Sequence, residues 1–213
     1  MIKAVVFDLD GTLVDSIGDL ADAMNASLAE HGHAPRTVDE CKRFVGDGAR
    51  RFVERAVPGI AADRVESVLE GFRRHYTKCW AAQTRAYDGV PELLDGLTAR
   101  GMKLAVLSNK IEEFTAVMVR ELLSRWQFAA VRGERVGTPR KPDPAGALAI
   151  AGELGVTPAE CAYLGDTSTD METAVGAGML PVGVLWGFRD AAELSSSGAV
   201  HLIAHPLELL PII

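Results

Sequence analysis

Ala4-Val5-Val6-Phe7-Asp8-Leu9-Asp10-Gly11-Thr12 is the stretch of this 213-residue chain that decides its fold. A short, unbroken apolar run that is β-branched and aromatic and stops at Asp and Gly reads as a strand buried on both faces, ending in a turn. The same signature recurs downstream. Lys103-Leu104-Ala105-Val106-Leu107 ends in Ser108-Asn109, and Cys161-Ala162-Tyr163-Leu164 ends in Gly165-Asp166. Val182-Gly183-Val184-Leu185 ends in Trp186-Gly187, while Phe128-Ala129-Ala130-Val131 and His201-Leu202-Ile203 are weaker members of the set.

Helical stripes separate these runs. Val90, Leu93, Leu94 and Leu97 recur at i, i+3, i+4 and i+7, as do Ala147, Ile150, Ala151 and Leu154. Gly101 stands where the first of these helices should stop. Asp143-Pro144 reads as an N-cap and first helical residue of the second, and Thr157 to Glu160 has capping-box spacing. Strand and helix in alternation predict an α/β fold, a doubly wound parallel sheet with right-handed crossovers.

One interval breaks the alternation. Phe7 and Lys103 are far further apart than the roughly thirty residues of a βαβ unit. Within it, Ile17, Leu20, Ala21, Met24 and Leu28 form one helical stripe, and Val65, Val68, Leu69, Phe72 and Tyr76 another. The expectation is an α/β core of residues 1–15 and 86–213, with an all-helical domain, residues 16–85, inserted after the first strand.

Composition narrows the function. Apolar residues make up 48% and charged residues 24% of the chain, and the formal net charge is −7. Those values exclude a disordered chain and speak against nucleic acid, whose phosphates are held by basic surfaces. Three widely spaced cysteines, Cys41, Cys79 and Cys161, form neither a disulfide framework nor a zinc motif. The opening MIKAVVFDLDG carries acids too early for a signal peptide, and no apolar run has the roughly 20 residues of a membrane span. A cytoplasmic protein is expected, with no membrane and no nucleic acid among its partners, working as a monomer or a homodimer.

In an open α/β sheet, ligands bind beyond the carboxyl ends of the strands. Those ends here supply Asp8, Asp10 and Thr12, then Ser108 and Asn109, then Asp166 and Asp170, with Lys141 in the loop after the third run. Carboxylates crowded together must take up protons or share a cation, and oxygen-only ligands suit Mg²⁺. A hard cation, a lysine and hydroxyl and amide donors around a carboxylate suit a phosphoryl group, and a carboxylate can itself be the nucleophile. Each element also has a plain reading as a cap or turn residue, but their placement on several strand ends together favours a site.

Asp8-Leu9-Asp10-Gly11-Thr12-Leu13-Val14-Asp15-Ser16 resembles the first motif of the haloacid dehalogenase superfamily. Ser108 in VLSNK, Lys141 in RKPDP and Gly165-Asp166-Thr167-Ser168-Thr169-Asp170 resemble the second, third and fourth, in order. The helical insertion is similar to the C1-type cap of that superfamily. Val45-Gly46-Asp47-Gly48-Ala49-Arg50 and Tyr87-Asp88-Gly89-Val90 look most like its phosphoglycolate phosphatase branch, from which Ser108 departs where threonine is frequent.

The resemblance implies a Mg²⁺-dependent phosphatase that hydrolyses a small-molecule phosphate ester, 2-phosphoglycolate above others, through an aspartyl-phosphate. By the same resemblance Asp8 is the nucleophile, Asp10 the acid and base, and Ser108 and Lys141 complete the catalytic set. Asp8, Asp10 (through its carbonyl), Asp166 and Asp170 serve the metal. Thr12, Asn109, Gly46 and Arg50 contact substrate. Two other readings stay open at this point: a phosphoglucomutase-type phosphoryl transferase, and a non-catalytic phosphate-binding or receiver-like regulatory module. Asp10 speaks against the last, since a signalling module gains nothing from rapid hydrolysis.

Overall fold

A computed structural model describes residues 1–213, which form two compact units, one of residues 1–14 and 86–213 and the other of residues 15–85. In the first unit the apolar runs become a six-stranded sheet. Its strands are β1 (Ala4–Phe7), β4 (Lys103–Ile111), β5 (Phe128–Glu134), β6 (Cys161–Gly165), β7 (Leu180–Val184) and β8 (His201–Ile203). Their order across the sheet is β5-β4-β1-β6-β7-β8, and every pairing is parallel. The chain thus winds outward from β1 on one side through β4 and β5, then returns to its other side for β6. β1 is therefore the strand at which winding reverses, and the crevice beyond its carboxyl end is where such a sheet receives a ligand.

All four residues of β1 have no exposed surface, which explains the unbroken apolar run. Ala4, Val6, Ala105, Leu107, Ala130, Cys161 and Tyr163 pack with α7 (Ala145–Leu154) and α8 (Ser168–Ala177) in one core cluster. The alternate residues Val5, Phe7, Leu104, Val106 and Leu164 are equally buried and face the other side of the sheet. There α5 (Val90–Ala99) and α6 (Glu112–Leu122) pack on β4. α9 (Ala191–Ser196) packs on β7 and β8. The predicted stripes of α5 and α7 are the buried faces of those helices.

Strand limits differ most from the sequence expectation in three strands. β4 and β5 run on to Ile111 and Glu134, carrying polar residues into the ladder, and β7 starts at Leu180 and stops before Leu185. The start of α7 also moves by one residue. Pro144, not Asp143, is its N-cap, and the Asp143 carboxylate instead accepts from the Ala145 N–H at 2.9 Å. The Thr157–Glu160 box closes a single 3-10 turn, in which the Glu160 carboxylate accepts from both the N–H and the hydroxyl of Thr157.

The second unit is wholly helical, with α1 (Ile17–Glu30), α2 (Val38–Phe44), α3 (Ala49–Ala56) and α4 (Ala62–Cys79). The stripes predicted on α1 and α4 are buried, and the two helices pack along each other. Phe52 meets Phe72 edge to face with ring centroids 5.5 Å apart, and Phe72 stacks on Tyr76. Thr37 and Glu40 form a capping box on α2. The passages between units are two short strands, β2 (Val14–Asp15) and β3 (Arg85–Ala86), which pair with each other.

Candidate active site

The strand order brings the ends of β4, β1 and β6 side by side, and with them the acidic residues of the sequence. Asp8 directly follows β1, and its N–H donates to the Leu164 carbonyl on β6 at 2.9 Å. Asp166 directly follows β6, and Asp170 lies in the first turn of α8, where a carboxylate favours a helix N-terminus. All three are buried, and each can offer one carboxylate oxygen within 4.8 Å of the others.

Asp8 and Asp170 share one lysine, and Asp166 is held by other bonds. Lys141 Nζ lies 2.7 Å from Asp8 Oδ1 and 2.7 Å from Asp170 Oδ1. The other oxygen of Asp170 accepts from the N–H and hydroxyl of Thr167, at 3.1 and 2.7 Å. Asp166 accepts from the Thr12 hydroxyl at 3.2 Å and from the Phe188 N–H at 2.8 Å. Tyr163, buried beneath the cluster, donates toward the Leu107 carbonyl and Asp170, at 3.3 and 3.4 Å.

The charge balance of this cluster is negative. Burial pushes the Asp8 carboxyl up to about 7, against the pull of Lys141 and with the help of Asp170. Burial, then the charges of Asp8 and Asp170, hold Asp166 well above the usual carboxylate range. Burial acts to lower Lys141, but the carboxylates of Asp170 and Asp8 outweigh it and hold the ammonium well above its ordinary value. One ammonium thus bridges two of the three desolvated carboxylates, Asp8 and Asp170, and the excess negative charge shows in the raised Asp8 and Asp166. An all-oxygen donor set in such surroundings fits a hard divalent cation.

Asn109, expected at the substrate, fixes the main chain of the site lysine. Its side chain accepts from the Lys141 N–H and donates to the Lys141 carbonyl, both at 3.0 Å. Thr12 serves Asp166, and its own carbonyl accepts from Trp186 Nε1 at 3.0 Å. Ser108, at the end of the apolar part of β4, accepts from the Lys110 N–H at 3.2 Å. A small pocket opens beside it, lined by Ser108, Asn109, Glu134, Arg140, Lys141 and Asp143.

Asp10 stands apart from the three-carboxylate cluster. Its two oxygens are each 3.0 Å from Lys110 Nζ. Gly46 and Arg50 belong to the helical unit. Gly46 has a left-handed φ of 125° in the turn between α2 and α3, and Arg50 pairs with Glu54 and Glu66. Sequence reading gave no role to Lys110, Tyr163 or the Phe188 N–H. Lys110 alone left a signal, a lysine two residues beyond the strand-end serine.

The comparisons with known proteins follow the same lines. Residues 2–178 match the model of haloacid dehalogenase-like hydrolases. Among curated proteins, the chain is 35% identical to phosphoglycolate phosphatase of Chromobacterium violaceum, over 98% of this chain and 96% of that one. It is 31% identical to phosphoglycolate phosphatase 1 of Pseudomonas aeruginosa, over 98% of this chain and 79% of that one. Among solved structures, a predicted phosphoglycolate phosphatase from Haemophilus somnus superposes with a TM-score of 0.90 at 26% identity, covering 99% of this chain and 97% of that chain. A protein from Lactobacillus delbrueckii subsp. bulgaricus superposes with a TM-score of 0.93 at 32% identity, covering 99% of this chain and 98% of that chain.

Proposed function

The chain belongs to the haloacid dehalogenase-like hydrolases, and from that premise we propose that it is a Mg²⁺-dependent phosphoric monoester hydrolase acting through an aspartyl-phosphate on Asp8. The observation that carries this is the buried Asp8–Lys141–Asp170 bridge with Asp166 beside it. Its substrate is a small phosphate ester, with 2-phosphoglycolate the first choice, in line with the names of the relatives. A net charge of −7 agrees with a small-molecule partner rather than nucleic acid. The setting is cytoplasmic, and the working form is a monomer or homodimer.

Asp8, Asp166, Asp170 and the Asp10 carbonyl would hold the cation, which when bound supplies positive charge against the phosphoryl oxygens and the crowded carboxylates. An Asp8 oxygen forms a bond to phosphorus while the ester P–O bond breaks. The electron pair leaves on the alkoxide, which takes a proton from Asp10. Asp10 then removes a proton from water, whose oxygen attacks phosphorus as the bond to Asp8 breaks. Phosphate departs and the Asp8 carboxylate returns. Lys141 offsets charge at Asp8 through both steps, from a main chain held by Asn109. The Ser108 oxygen accepts from the Lys110 N–H, and its hydroxyl proton would serve a phosphoryl oxygen. Choice among esters is assigned to the helical unit, with Gly46 and Arg50 at the substrate.

The test is inorganic phosphate release with Mg²⁺ across a panel of esters that includes 2-phosphoglycolate, sugar phosphates and p-nitrophenyl phosphate. Release from a small ester is the expected result. Conversion of glucose 1-phosphate to glucose 6-phosphate without phosphate release would make the chain a transferase. A stable phospho-Asp8 with no turnover on any ester would make it a regulatory module.

A further inference from the structure

Leu185-Trp186-Gly187-Phe188 follows β7, and the function proposed above gives this segment no part. β7 does not pair with β1, because β6 stands between them. Yet Trp186 Nε1 donates to the carbonyl of Thr12, in the turn after β1, at 3.0 Å. To make that bond the segment crosses the end of β6, and Asp166, which follows β6, is caught at the crossing. We propose that this segment is a clamp on Asp166, with Trp186 the positioning residue that anchors it and so raises the affinity of the site for its divalent cation. The proposal rests on the reading that Asp166 holds that cation.

The clamp is built from backbone. A Cβ on Gly187 would lie 2.3 Å from the Asp166 Cβ and 2.5 Å from the Gly11 carbonyl oxygen. A Cβ on Gly11, which has a left-handed φ of 87°, would lie 2.3 Å from Asp166 Oδ2. Two glycines thus enclose one carboxylate, and a side chain at either would displace it or the chain that faces it. Hydrogen bonds then fix how the carboxylate is turned. The Phe188 N–H donates to Oδ2 at 2.8 Å, and the Thr12 hydroxyl donates to Oδ1 at 3.2 Å. A carboxylate oxygen that accepts one hydrogen bond has a further lone pair for a cation.

Thr12 joins the anchor to the ligand. Its carbonyl receives the indole N–H, and its hydroxyl gives to Asp166. The segment is also held at its own two ends. The Leu185 N–H donates to the Ile203 carbonyl of β8 at 2.9 Å, and the Asp190 carboxylate, the N-cap of α9, accepts from the Glu193 N–H at 2.9 Å. Between such anchors a short span has little slack, and the indole bond decides how closely Gly187 and Phe188 approach Asp166. Hydrogen-bond partners behind a metal ligand are typically worth about 10- to 100-fold in metal affinity.

The measurement is Mg²⁺ binding to the full chain without substrate, by competition with Mn²⁺ whose free form is read by electron paramagnetic resonance. Trp186→Phe keeps an aromatic ring but has no N–H to offer Thr12. It should raise the Kd for Mg²⁺ by about 10-fold. The Mg²⁺ concentration that gives half-maximal phosphate release should rise in parallel. At saturating Mg²⁺, kcat should fall by less than that factor, and KM for the ester should not move. Gly187→Ala keeps the indole and intrudes on Asp166 directly, so its Kd should rise at least as far.

A lower Tm with an unchanged Kd would make Trp186 a packing residue, and a raised KM with an unchanged Kd would place it on the substrate. Either overturns the proposal. So does an unchanged Kd in Gly187→Ala, which also decides the matter if Trp186→Phe does not fold. Failure of both to fold overturns it as well, because the segment would then belong to the core rather than to the site. Asp166→Asn separates the clamp from the reading beneath it. If Asp166→Asn loses Mg²⁺ while the clamp variants keep it, only the clamp is defeated. If Asp166→Asn binds Mg²⁺ as tightly as the parent chain, Asp166 is not a ligand, and the proposal falls with that reading.

Discussion

In the proposed reaction Asp8 is the attacking group, and its surroundings make two opposing demands. As a nucleophile it must be ionised, yet burial pushes its carboxyl up to about 7, with Asp170 adding to the rise. Lys141 pulls the other way and does not win alone. Replacing the carboxylate by an amide of the same shape, Asp8→Asn, should lower kcat by several orders of magnitude while the fold persists. Retention of more than about a tenth of the activity, a loss of under about 1.4 kcal/mol, would be incompatible with covalent catalysis by Asp8. The raised acids also set a pH dependence. A carboxyl whose folded value lies above its unfolded one favours the folded state most at low pH, and that contribution is lost as pH rises through the folded value. For Asp8 the window runs from the ordinary carboxyl value of 3.8 to about 7, and Asp166 shifts in the same direction. A divalent cation binds the ionised forms, so it should stabilise the chain more as pH rises. The increase in Tm on adding Mg²⁺ should grow from pH 5.5 to pH 8, and calorimetry in buffers of different ionisation enthalpy should show proton release near pH 7. A Tm gain independent of pH would mean that the cation binds elsewhere.

At the scale of elements, the site depends on how closely β6 and α8 are joined. Gly165 ends β6 and sits against the first turn of α8, where an added Cβ would lie 2.2 Å from the Asp170 Cβ. That contact is with the root of a side chain, so no rotamer change relieves it. Gly165→Ala should therefore destabilise the fold by about 1–3 kcal/mol in urea unfolding. It should also weaken Mg²⁺ binding, because Asp170 must move; an unchanged metal affinity would separate Asp170 from the metal. Asn109 offers a second test at this scale, since it joins β4 to the loop that carries Lys141. Asn109→Ala leaves both polar groups of the buried Lys141 main chain without these partners, at about 1–3 kcal/mol for such a loss. It should lower kcat while leaving the substrate's KM nearly unchanged; a large rise in KM alone would restore the substrate contact first expected of Asn109. These elements also show what a sequence can and cannot reveal. The buried stripes of α1, α4, α5 and α7 follow from apolar spacing alone, because burial acts on the pattern directly. The partners of Asn109, Thr12 and Lys110 depend on where other loops arrive, and residue type gives no account of that.

At the scale of the whole molecule, the chain order and the spatial order disagree in a useful way. β1 is first in sequence and central in the sheet, so Asp8 is placed by strands that arrive about a hundred residues or more later. The motifs at residues 8, 108 and 166–170 were legible because each begins where an apolar run ends, with residue 141 in the loop after another, and parallel pairing does the rest. The helical unit gave less. Its helices were readable from their stripes, but its substrate contacts were not, since a charged residue such as Arg50, which pairs with Glu54 and Glu66, looks alike in sequence whether or not it also serves a ligand. Within that unit the Asp19 carboxylate accepts from the N–H groups of Gln83 and Thr84 and from the Thr84 hydroxyl, so the first turn of α1 is tied to the returning segment. The unit thus closes on itself, and the sheet unit has its own core between β-strands and helices α7 and α8. Replacing residues 17–83 with a short Gly-Ser linker should then leave a folded sheet unit, checked by its thermal transition. That unit should retain some turnover of p-nitrophenyl phosphate, because Asp8, Asp10, Ser108, Lys141, Asp166 and Asp170 all lie outside the deleted segment. Its kcat/KM values for 2-phosphoglycolate and other natural esters should converge, having lost the part of the chain to which selection is assigned. A truncated chain that still prefers one ester as strongly as the full chain would move specificity into the pocket beside Ser108 and Arg140.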